Sequence, residues 1–200
     1  MKIGIDIDEV VVEYMKSYLK FHNKKKRTNY SYDEIFTYRF EDFSNLSKEE
    51  IRELVLGFNN TKEFDNLEFV PGAKESISSL EDKNEIFFIT SRHPATKPKT
   101  IDFFERNFPK NNFTIHFSGE NWGGEGKDKG KSKGDICLGL GIRVMVEDNK
   151  EYALDCAKKG IKTFLLDKPW NKSYTKHKNI IKVYDWGELI KLLEEEIYEN

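Results

Sequence analysis

Two aspartates, Asp6 and Asp8, stand two residues apart directly after the apolar run Met1 to Ile5. That run is typical of a buried strand, and carboxylates at such a place need a partner, either a helix terminus or a functional site. The chain later supplies a hydroxyl, a lysine and a second acidic pair, each at the end or start of a predicted element: Thr90, Lys133, Glu147 and Asp148. These residue types in this order point to phosphoryl chemistry with a magnesium ion.

Transfer of a phosphoryl group to a carboxylate needs a nucleophile, positive charge at the phosphate oxygens and a proton for the leaving oxygen. Asp6 is predicted to attack and form an aspartyl-phosphate. Asp8 is predicted to protonate the leaving oxygen and then to activate water. Neighbouring carboxylates raise the pKa of one of them, and a bound Mg²⁺ lowers that of its ligand, so the two can take unequal roles.

The remaining candidates divide between metal and phosphate. Mg²⁺ prefers oxygen ligands and keeps several waters, so Asp6 and Asp148 suffice as the protein carboxylates. Thr90 and the backbone N–H of Ser91 are predicted to bind phosphate oxygens, and Lys133 to supply a point charge.

Apolar runs alternate with helical patterns along the chain, which predicts an α/β fold with a Rossmann-like parallel sheet flanked by helices. The predicted strands are Ile3 to Ile7, Glu85 to Ile89, Phe113 to Phe117, Arg143 to Val146, Lys162 to Leu166 and Ile180 to Tyr184. The predicted helices are Glu9 to Asn23, Ala73 to Leu80, Thr100 to Phe108, Ser132 to Leu140, Lys150 to Lys159 and Trp186 to Glu199. In such a sheet ligands bind at the carboxyl ends of the strands, where the candidate residues collect.

One connection is much longer than a strand-helix-strand unit of about thirty residues requires. Nearly eighty residues separate Ile7 from Glu85. The excess predicts a small helical cap at residues 29–69, inserted after the first strand and helix, with the core formed by 1–28 and 70–200. Within it, Ser47 and Glu50 form a capping-box pattern that opens an amphipathic helix.

The composition excludes several functional classes. Two hundred residues with 38% apolar and 34% charged content describe one sizeable core with a highly charged surface. The net charge of −2 gives no field that favours a nucleic acid polymer or an anionic membrane. Two cysteines do not make a disulfide framework, and no apolar run approaches the ~18 residues of a membrane span. We therefore expect a cytoplasmic protein; the sequence does not determine its oligomeric state.

Four segments together resemble the motifs of the haloacid dehalogenase (HAD) superfamily, and the resemblance spans nearly the whole chain. They are Asp6-Ile7-Asp8-Glu9-Val10, Ile86-Phe87-Phe88-Ile89-Thr90, Lys133, and Val146-Glu147-Asp148. The insertion resembles that superfamily's C1-type cap. More narrowly, Pro71-Gly72-Ala73, Lys133-Gly134-Asp135-Ile136-Cys137, Glu147-Asp148-Asn149 with Tyr152-Ala153, and Asp167-Lys168-Pro169-Trp170-Asn171 resemble the 5'(3')-deoxyribonucleotidases and related bacterial and archaeal nucleotidases.

The resemblance implies a Mg²⁺-dependent phosphomonoesterase for nucleoside monophosphates. It implies that Asp6 is the nucleophile, that Asp8 is the acid/base and lends its backbone carbonyl to Mg²⁺, and that Asp148 binds the metal. Glu147 is then expected to act one contact away from the ion. Glu9 departs from the glycine common at its position. Lys131 is a second candidate for the phosphate lysine, although spacing favours Lys133.

The resemblance implies that residues of the cap determine which substrate is bound. Five cap aromatics offer stacking faces for a nucleobase, although a helical insertion also needs aromatics to form a core: Tyr32, Phe36, Tyr38, Phe40 and Phe43. Trp170 is expected near the edge of the site. Arg92 and His93 are either substrate contacts or exposed loop residues.

Three other functions compete. A phosphatase for a sugar phosphate or another small phosphomonoester keeps the same chemistry. A P-loop NTPase would use Gly130-Lys131-Ser132, but its loop needs a glycine at position 125, which is Glu. A phosphoacceptor signalling domain would resemble this set with the acidic pair first and the phosphoacceptor in the middle, which is not the order found here.

Overall fold

The computed structural model describes residues 1–108, 110, 112–118 and 130–198. Position 125 and Glu199 lie outside these ranges. The described residues form one six-stranded sheet in the order β3-β2-β1-β4-β5-β6, with every neighbouring pair parallel. Its strands are β1 (Lys2–Ile5), β2 (Glu85–Thr90), β3 (Phe113–Phe117), β4 (Val144–Glu147), β5 (Lys162–Leu166) and β6 (Ile180–Val183). The predicted parallel α/β fold is confirmed.

Helices flank this sheet, and two more lie in the inserted segment of residues 29–69. They are α1 (Tyr14–Lys26), α2 (Lys48–Asn59), α3 (Lys62–Asp65), α4 (Ala73–Leu80), α5 (Lys97–Asn107), α6 (Lys133–Leu140), α7 (Lys150–Lys158) and α8 (Trp186–Tyr198). None of the described helices is both long enough and apolar enough to cross a membrane.

The central strands are buried on both faces, and alternate residues serve different cores. Val144 and Val146 of β4 join the large core beneath α1, α4, α5 and α8. Met145, between them, faces a second core with Ile136 of α6 and Cys156 of α7. The packing on both faces fixes the register of β4 and therefore where its carboxyl end lies.

The chain order changes direction at β1, which pairs with β2 on one side and β4 on the other. Such a switch point opens a crevice at the carboxyl ends of the strands. The ends of three adjacent strands, at Asp6, Thr90 and Glu147, therefore lie side by side.

The first helix begins later than predicted. The pattern from Glu9 suggested a helix, but α1 starts at Tyr14. Glu9 has a positive φ of 64°, and the N–H groups of Val11 and Val12 both bond the carbonyl of Ile7 at 2.9 and 3.1 Å. The three valines at 10–12 disfavour helix and favour extended backbone, and Val12 instead forms isolated bridges to Asp8 and Phe69. A tight turn thus separates strand from helix.

The segment of residues 29–69 contributes no strand to the sheet and contains α2, α3 and two short 3₁₀ turns. The capping box is present: the Ser47 hydroxyl accepts from the Glu50 N–H at 3.2 Å. Phe58 of α2 is fully buried against the rings of Tyr14 and Tyr18, a burial that stabilises by roughly 1.5–3 kcal/mol. This segment therefore packs on α1; its status as a separate cap remains a prediction.

Candidate active site

The site begins where β1 ends. The Asp6 N–H donates to the Val146 carbonyl at 2.9 Å, which continues the β1–β4 pairing by one residue. This bond fixes the backbone of Asp6, and its side chain is 9% exposed. The Lys133 ammonium lies 2.7 Å from Asp6 Oδ1. The first predicted carboxylate therefore stands beside the predicted phosphate lysine.

Lys133 is completely buried, which is rare for an unpaired lysine and requires charged partners. Its ammonium lies 2.5 Å from Glu147 Oε1 and 4.6 Å from the centre of the Tyr152 ring. Burial of the ammonium opposes its charge, but Asp6 and Glu147 together hold the pKa of Lys133 well above its usual range. The residue is a fixed positive charge in the site, and Lys131 does not take this place.

The first turn of α6 holds Lys133 in place. The Asp155 carboxylate on α7 accepts from the Ser132 hydroxyl at 2.7 Å and from the Gly134 N–H at 3.0 Å. A Cβ at position 134 would collide with that carboxylate, so only glycine permits this approach. The resulting contact ties the start of α6 to α7.

Both carboxylate oxygens of Glu147 have partners inside the protein. One carboxylate oxygen pairs with Lys133, and the other accepts from the N–H groups of Asp148 and Asn149 at 2.8 and 2.9 Å. Asp148 receives the Trp170 indole N–H at 2.8 Å, and its carbonyl accepts from the Asn171 amide at 2.7 Å. Glu147 thus shapes the loop that presents Asp148.

These groups carry excess negative charge. Asp6, Glu147 and Asp148 each place a carboxylate oxygen within 4.8 Å of the others, and the three face one lysine. Burial and then Glu147 raise the pKa of Asp6 to about 7. The same two causes raise the pKa of Asp148 well above its usual value. A hard divalent cation would balance this surplus, and the all-oxygen donor set fits Mg²⁺.

Thr90 and Ser91 lie at the end of the neighbouring strand. Thr90 is 1% exposed and lines the same cavity as Asp6. Its hydroxyl accepts from the Arg92 N–H at 3.1 Å. The Ser91 hydroxyl is hydrogen bonded to Ser118 at 2.8 Å. The structure thus brings both residues to the predicted place.

Arg92 is a further residue of the site. It is 8% exposed. Of the two predictions for Arg92, the one that made it an exposed loop residue is therefore wrong. Its Nε donates to both carboxylate oxygens of Asp8 at 3.1 and 3.0 Å, and Nη2 donates to Oδ1 at 2.6 Å. The sequence signal for it was its position two residues after Thr90, but its partner lies 84 residues away.

Glu9 explains how the turn joins the inserted segment. Its carboxylate accepts from the Met15 N–H at 2.5 Å and from the Tyr32 hydroxyl at 2.9 Å, so it satisfies a backbone N–H in the first turn of α1. Burial raises the pKa of Glu9. The ring of Tyr32 packs edge-on against Trp170 at 5.6 Å. Glu9 thus connects α1 to the inserted segment, directly after Asp6 and Asp8 in the chain.

A cavity of about 970 Å³ covers these groups. We use the name floor for the buried lining residues Asp6, Thr90, Lys133 and Asp148, together with Glu147, the buried partner of Lys133. The part of its lining that the inserted segment contributes we call the roof, represented by Tyr38, Arg39, Phe40, Lys48 and Arg52.

Two of the five predicted cap aromatics, Tyr38 and Phe40, line this cavity. Phe36 is 63% exposed and borders a different cavity. Phe43 packs against Tyr30 and Phe40. Two of the predicted stacking residues therefore line this cavity. The other three border another cavity or pack elsewhere, and the Tyr32 hydroxyl donates to Glu9.

Solved structures share this architecture. The haloacid dehalogenase-like hydrolase SP0104 of Streptococcus pneumoniae superposes with a TM-score of 0.63 at 14% identity, covering 96% of this chain and 97% of that one. YfnB of Bacillus subtilis, solved bound to magnesium, superposes with a TM-score of 0.61 at 12% identity over 96% and 97% of the two chains. The fold is that of the haloacid dehalogenase-like hydrolases.

The match to a family model is more specific, and it covers residues 1–195. This chain belongs to the family described as 5' nucleotidase, deoxy (pyrimidine), cytosolic type C protein, and it is a hydrolase of the HAD superfamily. Nucleotidase CA_C3379 of Clostridium acetobutylicum is 23% identical over 97% of this chain and 94% of its own length. YqfW of Bacillus subtilis (strain 168) is 23% identical over 96% and 92%.

Proposed function

We propose that this protein is a Mg²⁺-dependent phosphomonoesterase that hydrolyses nucleoside monophosphates through an aspartyl-phosphate. The observation that carries the proposal is the buried cluster in which Lys133 lies 2.7 Å from Asp6 and the acidic pair 147–148 stands beside them. Membership of the nucleotidase family supports the choice of substrate. We also propose that residues 29–69 act as the cap over this cluster.

In the first step, a carboxylate oxygen of Asp6 forms a bond to phosphorus as the bond from phosphorus to the leaving oxygen breaks. The ammonium of Lys133 and the hydroxyl of Thr90 bind the phosphate oxygens, together with the Ser91 N–H. The proton that the leaving oxygen needs comes from Asp8. Lys133 remains charged throughout, because its two carboxylate partners keep its pKa high.

In the second step, a water oxygen attacks the phosphorus and Asp8 accepts its proton, which releases inorganic phosphate and restores the carboxylate of Asp6. Asp6 and Asp148 would hold Mg²⁺, with the backbone carbonyl of Asp8 as a further ligand. When bound, the ion supplies positive charge to the phosphate oxygens and offsets the repulsion among the floor carboxylates. Glu147 orients Lys133 and the loop that carries Asp148.

The roof favours a nucleotide over a smaller substrate. A cavity of about 970 Å³ exceeds the volume that a phosphate group alone requires, and Tyr38 and Phe40 give it aromatic surface. A base stacked on one aromatic ring contributes about 1–3 kcal/mol. We therefore place the base toward the inserted segment and the phosphate on the floor.

The test is phosphate release from a panel of nucleoside monophosphates and sugar phosphates, with Mg²⁺ and with EDTA. We expect turnover of a nucleoside monophosphate that requires Mg²⁺ and disappears in Asp6→Asn. Turnover retained in Asp6→Asn would refute the assigned nucleophile. Preference for a sugar phosphate would refute the nucleotidase assignment while leaving the chemistry intact.

A further inference from the structure

Asp8 and Arg92 form an ion pair with an unusual division of exposure. The Arg92 side chain is 6% exposed, whereas that of Asp8 is 28% exposed. The guanidinium therefore approaches from the protein interior, and part of the carboxylate remains open. Both residues line the cavity that contains Asp6.

The guanidinium is itself held by two other contacts, and the backbone N–H of Arg92 makes a third. Its Nη1 donates to the Thr100 hydroxyl at 3.1 Å, and Thr100 is completely buried. Its central carbon lies 4.9 Å from the centre of the Phe64 ring, a distance at which an arginine is attracted to the face of an aromatic ring. The Arg92 N–H is bonded to Thr90. A guanidinium fixed in this way sets where its carboxylate partner stands.

We propose that Arg92 is a positioning residue that holds the carboxyl group of Asp8 for proton transfer to the leaving oxygen. The inference rests on the proposed function of the same site. The proton passes from Asp8 to the leaving oxygen as the bond from that oxygen to phosphorus breaks, and a water proton later returns to Asp8. The competing possibility is that Arg92 binds the substrate phosphate, since it also borders the cavity.

The two roles predict different dependence on the leaving group. Nitrophenolate leaves as a stable anion and needs no proton, whereas the alkoxide of a nucleoside does need one. General acid catalysis contributes roughly 10²–10⁴-fold. In Arg92→Met we therefore expect kcat/KM for a nucleoside monophosphate to fall about 100-fold. We expect kcat/KM for p-nitrophenyl phosphate to fall less than about 3-fold. The ratio kcat/KM reports only the transfer of the phosphoryl group to Asp6, and nitrophenolate needs no proton in that step.

The second step supplies an independent measurement. Activation of water also needs Asp8, so the aspartyl-phosphate of Arg92→Met should accumulate. With p-nitrophenyl phosphate, we expect a burst of nitrophenolate approaching one equivalent per protein molecule, followed by slow turnover. A residue that only binds phosphate would lower kcat/KM for both substrates equally and give no burst, and that result would overturn the proposal.

Matched variants separate positioning from folding. Arg106→Met removes a half-exposed arginine that pairs with Asp102 and should leave both substrates unaffected. Thr100→Val keeps Arg92 but removes one anchor, so the same selective loss should appear in weaker form, about 3- to 10-fold on the nucleotide. In the Asp8→Asn background, Arg92→Met should add little further loss on the nucleotide. Full additivity there would contradict the proposal.

Failure of the inference and failure of the proposed function can be told apart. If wild-type protein with Mg²⁺ hydrolyses neither substrate, the proposed function fails and the inference with it. If wild type is active and Asp6→Asn is not, but Arg92→Met loses both substrates in parallel, the inference alone fails.

Discussion

The floor and the roof of the cavity are built in opposite ways. Floor side chains are almost completely buried. All but Lys133, which opens α6, stand at or directly after the ends of adjacent parallel strands, and Lys133 makes short charged contacts with Asp6 and Glu147. Three of the roof residues, Arg39, Lys48 and Arg52, are exposed. Arg39 lies 3.3 Å from Glu151 of α7 in a pair of half-exposed side chains, and solvent weakens such a pair, so it adds little to stability. The difference teaches that the sheet holds the proposed catalytic groups in place, whereas the proposed recognition of the base would involve exposed side chains of the inserted segment.

The largest effect should follow from breaking the floor. Lys133→Met keeps much of the side-chain volume but leaves Asp6 and Glu147 without their shared cation. We expect kcat/KM on a nucleoside monophosphate to fall about 10³-fold, the order found when a group that stabilises transition-state charge is removed. Steady-state phosphate release measures this. The control is Lys131→Met, two residues away, which should change kcat/KM less than about 3-fold; a larger loss there would revive Lys131 as the phosphate lysine.

A smaller loss should follow from loosening the floor without removing a reacting group. Trp170→Phe deletes the indole N–H that Asp148 accepts at 2.8 Å. Outer hydrogen bonds to metal ligands typically change metal affinity by about 10–100-fold. We expect the Mg²⁺ concentration for half-maximal activity to rise by about 10-fold, with kcat at saturating Mg²⁺ nearly unchanged. An unchanged Mg²⁺ requirement together with a lower kcat would show that Asp148 is not the ligand that Trp170 supports.

Substitution in the roof should affect binding rather than chemistry. Phe40 lines the cavity and is half-buried, so Phe40→Leu removes aromatic surface while keeping apolar volume. We expect KM for the preferred nucleotide to rise about 5- to 10-fold with kcat within about 2-fold, as expected when a stacking contact is lost. The control is Phe36→Leu, since Phe36 borders a different cavity. If both variants behave alike, Phe40 makes no contact with the base.

The contrast also explains what sequence could predict. Asp6, Thr90 and Asp148 follow strands whose apolar pattern is strong, so their place at one sheet edge follows from the α/β rule alone. The pairing of Arg92 with Asp8 spans 84 residues and that of Trp170 with Asp148 spans 22. Such contacts depend on side-chain direction in loops, which tertiary packing sets and no local periodicity encodes.

Glu9 shows the same limit within a few residues. The pattern after Asp8 suggested that a helix starts at Glu9, yet the chain turns there with a positive φ and α1 begins at Tyr14. A positive φ at a non-glycine residue destabilises the fold by about 1 kcal/mol. Hydrogen bonds from Met15 and Tyr32 to the Glu9 carboxylate offset this free energy. Spacing identified neither partner: Tyr32 lies in the inserted segment, and Met15 lies at the start of α1, which the pattern placed at Glu9.

The smallest effect concerns stability and sharpens the assignment of the floor as a metal site. Without metal, burial and Glu147 raise the pKa of Asp6 from 3.8 to about 7. A raised folded-state pKa stabilises the protein at low pH, and this contribution is lost as pH rises from about 4 through about 7.

Mg²⁺ binds the carboxylate form of Asp6 and must displace the Asp6 proton below pH 7. The rise in Tm caused by a fixed Mg²⁺ concentration should therefore be a few degrees larger at pH 8 than at pH 6. Scanning calorimetry at both pH values measures it, and Asp6→Asn should reduce this difference between them. Equal shifts in wild type at pH 6 and pH 8 would mean that Mg²⁺ does not compete with the proton on Asp6, and the floor would then be an acidic cluster that Lys133 alone balances.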